Sequence, residues 1–246
     1  MQAFPSKSAG GSTRDDALHL AVRMQHTIIS NCLTEERWKQ HIAECLEYRF
    51  HAAMIPPSWV KRTREALRGS GVRTASWIDF PYGTMTSAGK AFESSILAKE
   101  GAEEIDLMPN VGFLLSGMEK EYFSDIRGVV EAAGGIPVKI MLELPLLNAV
   151  QRERAVALSV EAGVAYLKNA SGGAVGVATP EETRFLRRLA PSSVRIKASG
   201  GIRTVQQVRD LVEAGADVVG TSSAMQIMKE FLGQGGVHVP AESTAY

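Results

Sequence analysis
From Leu18 onward, short apolar runs alternate with longer amphipathic stretches. A hydrophobic period of 2 that gives way repeatedly to one near 3.6 predicts strand–helix units. The strands expected are Met24 to Ile29, FHAAMI stopped by Pro56 and Pro57, VRTASWIDF ending at Pro81-Tyr82-Gly83, EEIDLMPNVG, IPVKIMLELP, VAYLK, VRIKASGG and DVVGTSS. The helices between them start at recognisable caps. Thr34 opens LTEERWKQHIAECLEYR, and Thr179, Pro180 and Glu182 place a cap, an N1 proline and a first-turn acid at the head of TPEETRFLRRLAP. SWVKRTREALRGSG closes on a glycine, as a helix C-terminus does. Eight such units in about 215 residues predict one TIM (β/α)₈ barrel as a single domain. The boundaries follow: a flexible tail over 1–17, the barrel over 18–234 and a second flexible tail over 235–246. An open doubly wound sheet is the rival topology, and the missing GxGxxG turn after the first strand counts against its dinucleotide-binding form.

A barrel puts its chemistry at the C-terminal ends of the strands, which makes the strand exits informative. Those exits carry Asp106, Asn110, Glu143, Lys168, Lys197, Ser222 and Ser223. Lys168 and Lys197 leave successive apolar strands. As parallel neighbours about 4.8 Å apart, these strands would hold two ammonium groups within roughly 6 Å. Their repulsion, on the order of 3 kcal/mol or about two pK units, would leave one amine partly neutral near pH 7. A half-buried neutral amine attacks carbonyls, so Schiff-base chemistry is the leading expectation. Asp106 stands alone within an apolar run, where a carboxylate needs a partner. A neighbouring lysine suits it, either as a structural ion pair or in acid/base work.

Three glycine-rich turns follow the last strands: Ser171-Gly172-Gly173, Ser199-Gly200-Gly201 and Gly220-Thr221-Ser222-Ser223. Backbone N–H groups and helix N-termini there are suited to a phosphate. Lys plus Arg and Asp plus Glu are both 27, so no charge excess points to nucleic acid or to an anionic membrane surface. The five histidines lack HExxH or comparable spacing, and neither GxSxG nor GxxxxGK[ST] is present, so no metal and no cofactor is expected. Arg184, Arg187 and Arg188 read as a solvated helix face. Cys32 and Cys45 form no CxxC pair, and no apolar run reaches the ~20 residues of a membrane span, which together predict a cytoplasmic protein.

The segments GSGVRTASWIDFPYG, KAFESSILAKEGAEEIDLMPNVGFLLSG, YLKNASG, KASGGIRT and AGADVVGTSS resemble the 2-deoxyribose-5-phosphate aldolases from about Leu33 to Met228. That resemblance implies a TIM barrel and metal-free, reversible cleavage of 2-deoxy-D-ribose 5-phosphate to D-glyceraldehyde 3-phosphate and acetaldehyde. It makes Lys168 the Schiff-base lysine, Lys197 the lysine that perturbs it, and Asp106 the acid/base group. Gly172, Gly200, Gly201, Arg203, Gly220, Ser222 and Ser223 match phosphate-binding turn positions. It also gives Tyr246 a role in proton transfer at the barrel mouth. The expected partners are a phosphorylated sugar and an aldehyde, within a possible homo-oligomer, dimer or tetramer. Two departures from the family pattern stand out. Gln25 replaces an aspartate on the first strand, and Asn169-Ala170-Ser171 replaces Thr-Ser-Thr after the Schiff-base lysine, which predicts a changed pocket around the imine. Another Schiff-base enzyme acting on a different aldehyde and a non-catalytic sugar-phosphate binder are the alternatives.

Overall fold
The computed structural model describes residues 14–234. Eight parallel strands close in chain order: β1 Met24–Thr27, β2 Ala52–Met54, β3 Arg73–Ile78, β4 Glu104–Leu107, β5 Val138–Met141, β6 Tyr166–Lys168, β7 Arg195–Ser199 and β8 Val218–Thr221. Pairing of β1 with both β2 and β8 completes the barrel, which removes the open-sheet alternative. The helices are α1 Arg14–Ala21, α2 Glu35–Tyr48, α3 Val60–Ala66, α4 Ser87–Glu100, α5 Val111–Leu115, α6 Glu119–Ala132, α7 Ala149–Glu161, α8 Pro180–Leu189, α9 Val205–Glu213 and α10 Ala224–Phe231. None of them is long and apolar enough to cross a membrane.

Local chemistry sets the helix starts. The Thr34, Thr86 and Thr179 side chains accept backbone N–H groups of their first turns. Asn148 with Gln151 and Thr204 with Gln207 form complete capping boxes. The strands are shorter than the apolar runs because the runs continue past the last paired residue into the loops at the barrel mouth. Two elements depart from the sequence pattern. Helix α1 begins at Arg14, inside the stretch expected to be a tail, with Asp15 and Asp16 in its first turn facing the helix dipole. Helix α5 is a further turn and a half within the loop after β4, where only strand continuation was expected.

Strand residues alternate between two environments. Ile105, Leu107, Ile140, Leu167 and Ile196 point outward into a core shared with Leu97, Tyr122, Ile126 and Val129. Met24, Ala53, Ala198 and Val219 do the same against Ile42, Cys45, Val208, Leu211 and Ile227. The inward set differs. Ala52, Met54 and Ala75 with Trp77 line one side of the lumen, and the opposite side carries charge. Burial of the outward set fixes the strand register, and that register delivers the charged residues to the lumen.

Candidate active site
Asp106, on β4, is the centre of the charged side. Its Oδ2 accepts Lys197 Nζ at 2.6 Å and Lys168 Nζ at 3.1 Å, and its Oδ1 lies 3.4 Å from Lys139 Nζ. Strand register explains the convergence: Lys168 pairs directly with Lys197, and Asp106 with Lys139. Since both Lys168 and Lys197 touch one oxygen, their ammonium groups lie within the roughly 6 Å that strand spacing allows. All of these side chains are buried, Lys168 the least so, at 7% side-chain exposure against 1% for Lys197. Lys168 Nζ also donates to the Ser171 carbonyl at 3.2 Å.

Burial alone would raise the Asp106 pKa, but the Lys197, Lys168 and Lys139 charges outweigh it and hold the carboxyl well below the usual carboxylate range. Lys197 is pushed well below the usual lysine range, first by burial, then by repulsion from Lys168 and Lys139, against the pull of Asp106. Desolvation thus acts on Lys197 ahead of repulsion from its neighbours.

Glu143, after β5, sits in the left-handed region at φ 51 and is buried. Its Oε1 accepts the Ser171 N–H, and its Oε2 has no hydrogen-bond partner. Burial raises its pKa. Glu143 and Lys168 thus hold the N–H and the carbonyl of Ser171. Asn110 occupies the N-cap position of α5 without a side-chain capping bond, and its N–H goes to Asp125 at 3.1 Å.

The glycine turns of β6 and β7 pack on each other. A Cβ on Gly200 (φ 117) would meet the Gly176 carbonyl oxygen at 2.2 Å, and one on Gly201 (φ 65) would meet Val177 at 3.1 Å. Ala178 N–H binds the Gly200 carbonyl, which seats the end of the loop after β6 against the β7 exit, while Gly172 faces open space. Thr221 Oγ1 donates to the Ile202 carbonyl at 2.7 Å and joins the β7 and β8 exits. Gly220 lies inside β8 and not in a turn; a Cβ there would strike Ser199 Oγ and Lys197 Cε. Its missing side chain makes room for the Lys197 stem. Arg203 and Ser222 are exposed beside this cluster. The Arg203 N–H is taken by Gln207, and the Ser223 N–H by Thr221. Tyr246 lies outside the described residues.

The two departures separate. Asn169 is buried and bridges outward, accepting the Ser199 N–H at 2.9 Å and donating to Glu182 at 3.2 Å. It ties β6 to β7 and α8, so the Asn169 side chain itself does not line the lumen, while Ser171 of the same segment meets Lys168 through its carbonyl. Gln25 does face the lumen. It pairs in register with Gly220 and Ala52, is fully buried, and has no partner for either amide atom. Three lumen residues were not singled out from the sequence: Lys139, Glu104 and His51. Lys139 carried a usable signal, a single charge inside the apolar run IPVKIMLELP, the same signal that marks Asp106.

No family model matches the chain. Deoxyribose-phosphate aldolase of Staphylococcus carnosus (strain TM300) is 36% identical over 206 residues, covering 84% of this chain and 94% of that one. The aldolase of the same name from Bacillus cereus (strain ATCC 10987 / NRS 248) is 38% identical over 212 residues, 86% and 95% of the two chains. Among solved structures, the tetrameric deoxyribose phosphate aldolase from Aeropyrum pernix superposes with a TM-score of 0.80 at 31% identity, over 87% of this chain and 92% of that one. A closed parallel barrel with amines and a carboxylate at its centre, with these relatives, is an aldehyde-lyase. The chain belongs to the deoxyribose-phosphate aldolase family.

Proposed function
We propose that the protein cleaves 2-deoxy-D-ribose 5-phosphate reversibly to D-glyceraldehyde 3-phosphate and acetaldehyde, through an imine on Lys168. The observation that carries this reading is the sharing of one Asp106 oxygen by Lys168 and Lys197 in a buried lumen. The Lys168 amine adds to the C1 aldehyde and expels water. The C3 hydroxyl then gives up its proton as the C2–C3 bond breaks, its electron pair moving into the enamine. Glyceraldehyde 3-phosphate leaves, C2 takes a proton, and water releases acetaldehyde. Lys168 is assigned the attack because it is the more exposed of the two amines. Asp106 and Lys197, an anion and an amine that gives up its proton readily, are placed to pass protons between water and the substrate hydroxyl. The Gly172, Gly200–Gly201, Arg203 and Ser222–Ser223 cluster is proposed to take the phosphate, with Gly220 supporting Lys197 from behind. Tyr246 is proposed to assist proton transfer at C2, which Tyr246→Phe would show as slower deuterium exchange into the acetaldehyde methyl with imine formation intact.

A cleavage assay on deoxyribose 5-phosphate with EDTA present tests the activity. The unpaired Gln25 amide supports a second reading, a different aldehyde or phosphorylated sugar, which a substrate panel on the wild type and Gln25→Asp would separate from the first. We also propose a homo-oligomer, dimer or tetramer, in a reducing cytoplasm that suits free Cys32 and Cys45; sedimentation velocity decides the former.

A further inference from the structure
Below the lysine–aspartate centre, the lumen holds a second charged layer. Glu104 lies two residues before Asp106 on β4, so both carboxylates project inward. Its Oε2 accepts Lys139 Nζ at 2.6 Å, while Asp106 Oδ1 is 3.4 Å from the same nitrogen. Its Oε1 accepts His51 Nε2 at 2.8 Å, with Arg73 Nε 3.9 Å away. The Lys139 and Glu104 side chains are at most 2% exposed. Lys139 also lies over the Tyr166 ring, 5.3 Å from its centroid, with Arg195 at 4.2 Å from the same ring. The lumen therefore contains three lysines and two carboxylates in one hydrogen-bonded chain, His51–Glu104–Lys139–Asp106, ending on Lys168 and Lys197. Lys139 is the divided member, and the two distances show that Glu104 holds the larger share.

We infer that Glu104, braced by His51, is a positioning residue for the imine-forming site: by engaging Lys139 it leaves the Asp106 carboxylate to Lys168 and Lys197. The inference deepens the proposed imine chemistry and rests on it. Without the Glu104 charge, three amines compete for one carboxylate. Lys139 moves onto Asp106, and the upper amines lose part of their counter-charge while facing an uncompensated cation. The proton of Lys197 then leaves more readily.

The test compares wild type, Glu104→Gln and Glu104→Gln/Lys139→Met. The readouts are kcat, KM and pH dependence of deoxyribose 5-phosphate cleavage, and an NMR titration of Lys197 in protein labelled at lysine. In Glu104→Gln, kcat is expected to fall about tenfold with KM little changed. The Lys197 titration and the acid limb of kcat/KM are expected to move to lower pH by about half a unit or more. Removing Lys139 as well restores most of kcat, because the surplus charge goes with it. Should Glu104→Gln not fold, Glu104→Asp keeps the charge but withdraws it by one methylene, and is expected to give the same shifts at smaller size. A variant that loses thermal stability while its Lys197 titration and pH profile match wild type would overturn the inference and leave Glu104 a purely structural partner. Absence of cleavage in the wild type itself would instead remove the proposed function, and the Lys197 titration alone would then decide the role of Glu104.

Discussion
At Asp106 a single carboxylate faces three amines in a buried site, and its pairing geometry decides what each amine can do. Two of them reach one oxygen, so the carboxylate is held anionic and its partners are held together. Asp106→Asn keeps the shape but removes the anion. Turnover is expected to fall by about 10² or more, checked by steady-state kinetics with circular dichroism confirming the fold. Lys168→Ala removes the nucleophile while leaving Lys197 on Asp106, so cleavage is expected to be abolished with the thermal midpoint close to wild type. At this scale the sequence was informative where a charge interrupts an apolar run. Asp106, Lys168 and Lys197 carry that mark and meet in space. Lys139 carries it too and pairs in register with Asp106, so the same signal extends to the lower layer. Asn169 shows the converse limit: its difference from the family pattern is visible in the sequence, but the direction of its side chain depends on which strand face it joins.

Between elements, buried polar contacts fix how helices seat on the barrel. Lys90 on α4 is completely buried and donates to Asp125 on α6 at 2.7 Å and to the Gly83 and Met108 carbonyls. Asp125 also accepts Ser87 Oγ and the Asn110 N–H. Lys90→Met leaves a buried carboxylate without its cation, an expected loss of about 3–5 kcal/mol in urea unfolding. On the other side, His41 of α2 is fully buried against His26 of β1, their ring centroids 4.2 Å apart, and neither His41 nitrogen has a hydrogen-bond partner. His26 Nε2 instead pairs with Glu44 at 2.8 Å, and Arg37 lies 3.5 Å from Glu44. Burial first, then His26 and Arg37, lower the His41 pKa well below the usual histidine value. Folded His41 stays neutral where the unfolded chain takes up a proton, so stability is expected to decline as pH falls below about 6.5. His41→Leu should flatten that decline between pH 7.5 and 5 in urea midpoints; an unchanged slope would place the acid sensitivity elsewhere.

Taken as a molecule, the protein is a barrel whose outer faces follow one simple pattern and whose lumen does not. Alternating periods of 2 and 3.6 locate all eight strand–helix units, because burial of Ile105, Ile140, Leu167 and Ile196 against the helices imposes that pattern on the chain. The lumen was legible at its upper rim only, where strand ends announce themselves by turn residues such as Ser199-Gly200-Gly201. The lower layer of Glu104, Lys139 and His51 forms where β4, β5 and the entrance of β2 converge in the lumen, a long-range event with no local signature. Glu104 stood next to Glu103 and read as a strand entrance, although one reaches Lys139 in the lumen and the other binds the Thr74 N–H outside it. The central claim, that this lumen forms an imine on Lys168 without a metal, is tested most directly by borohydride trapping. Intact protein is incubated with acetaldehyde and borohydride in the presence of EDTA, then digested and mapped by mass spectrometry. The account predicts an ethyl group on Lys168 with Lys197 unmodified and no effect of EDTA; an ethyl group on Lys197, or on neither lysine, would contradict it.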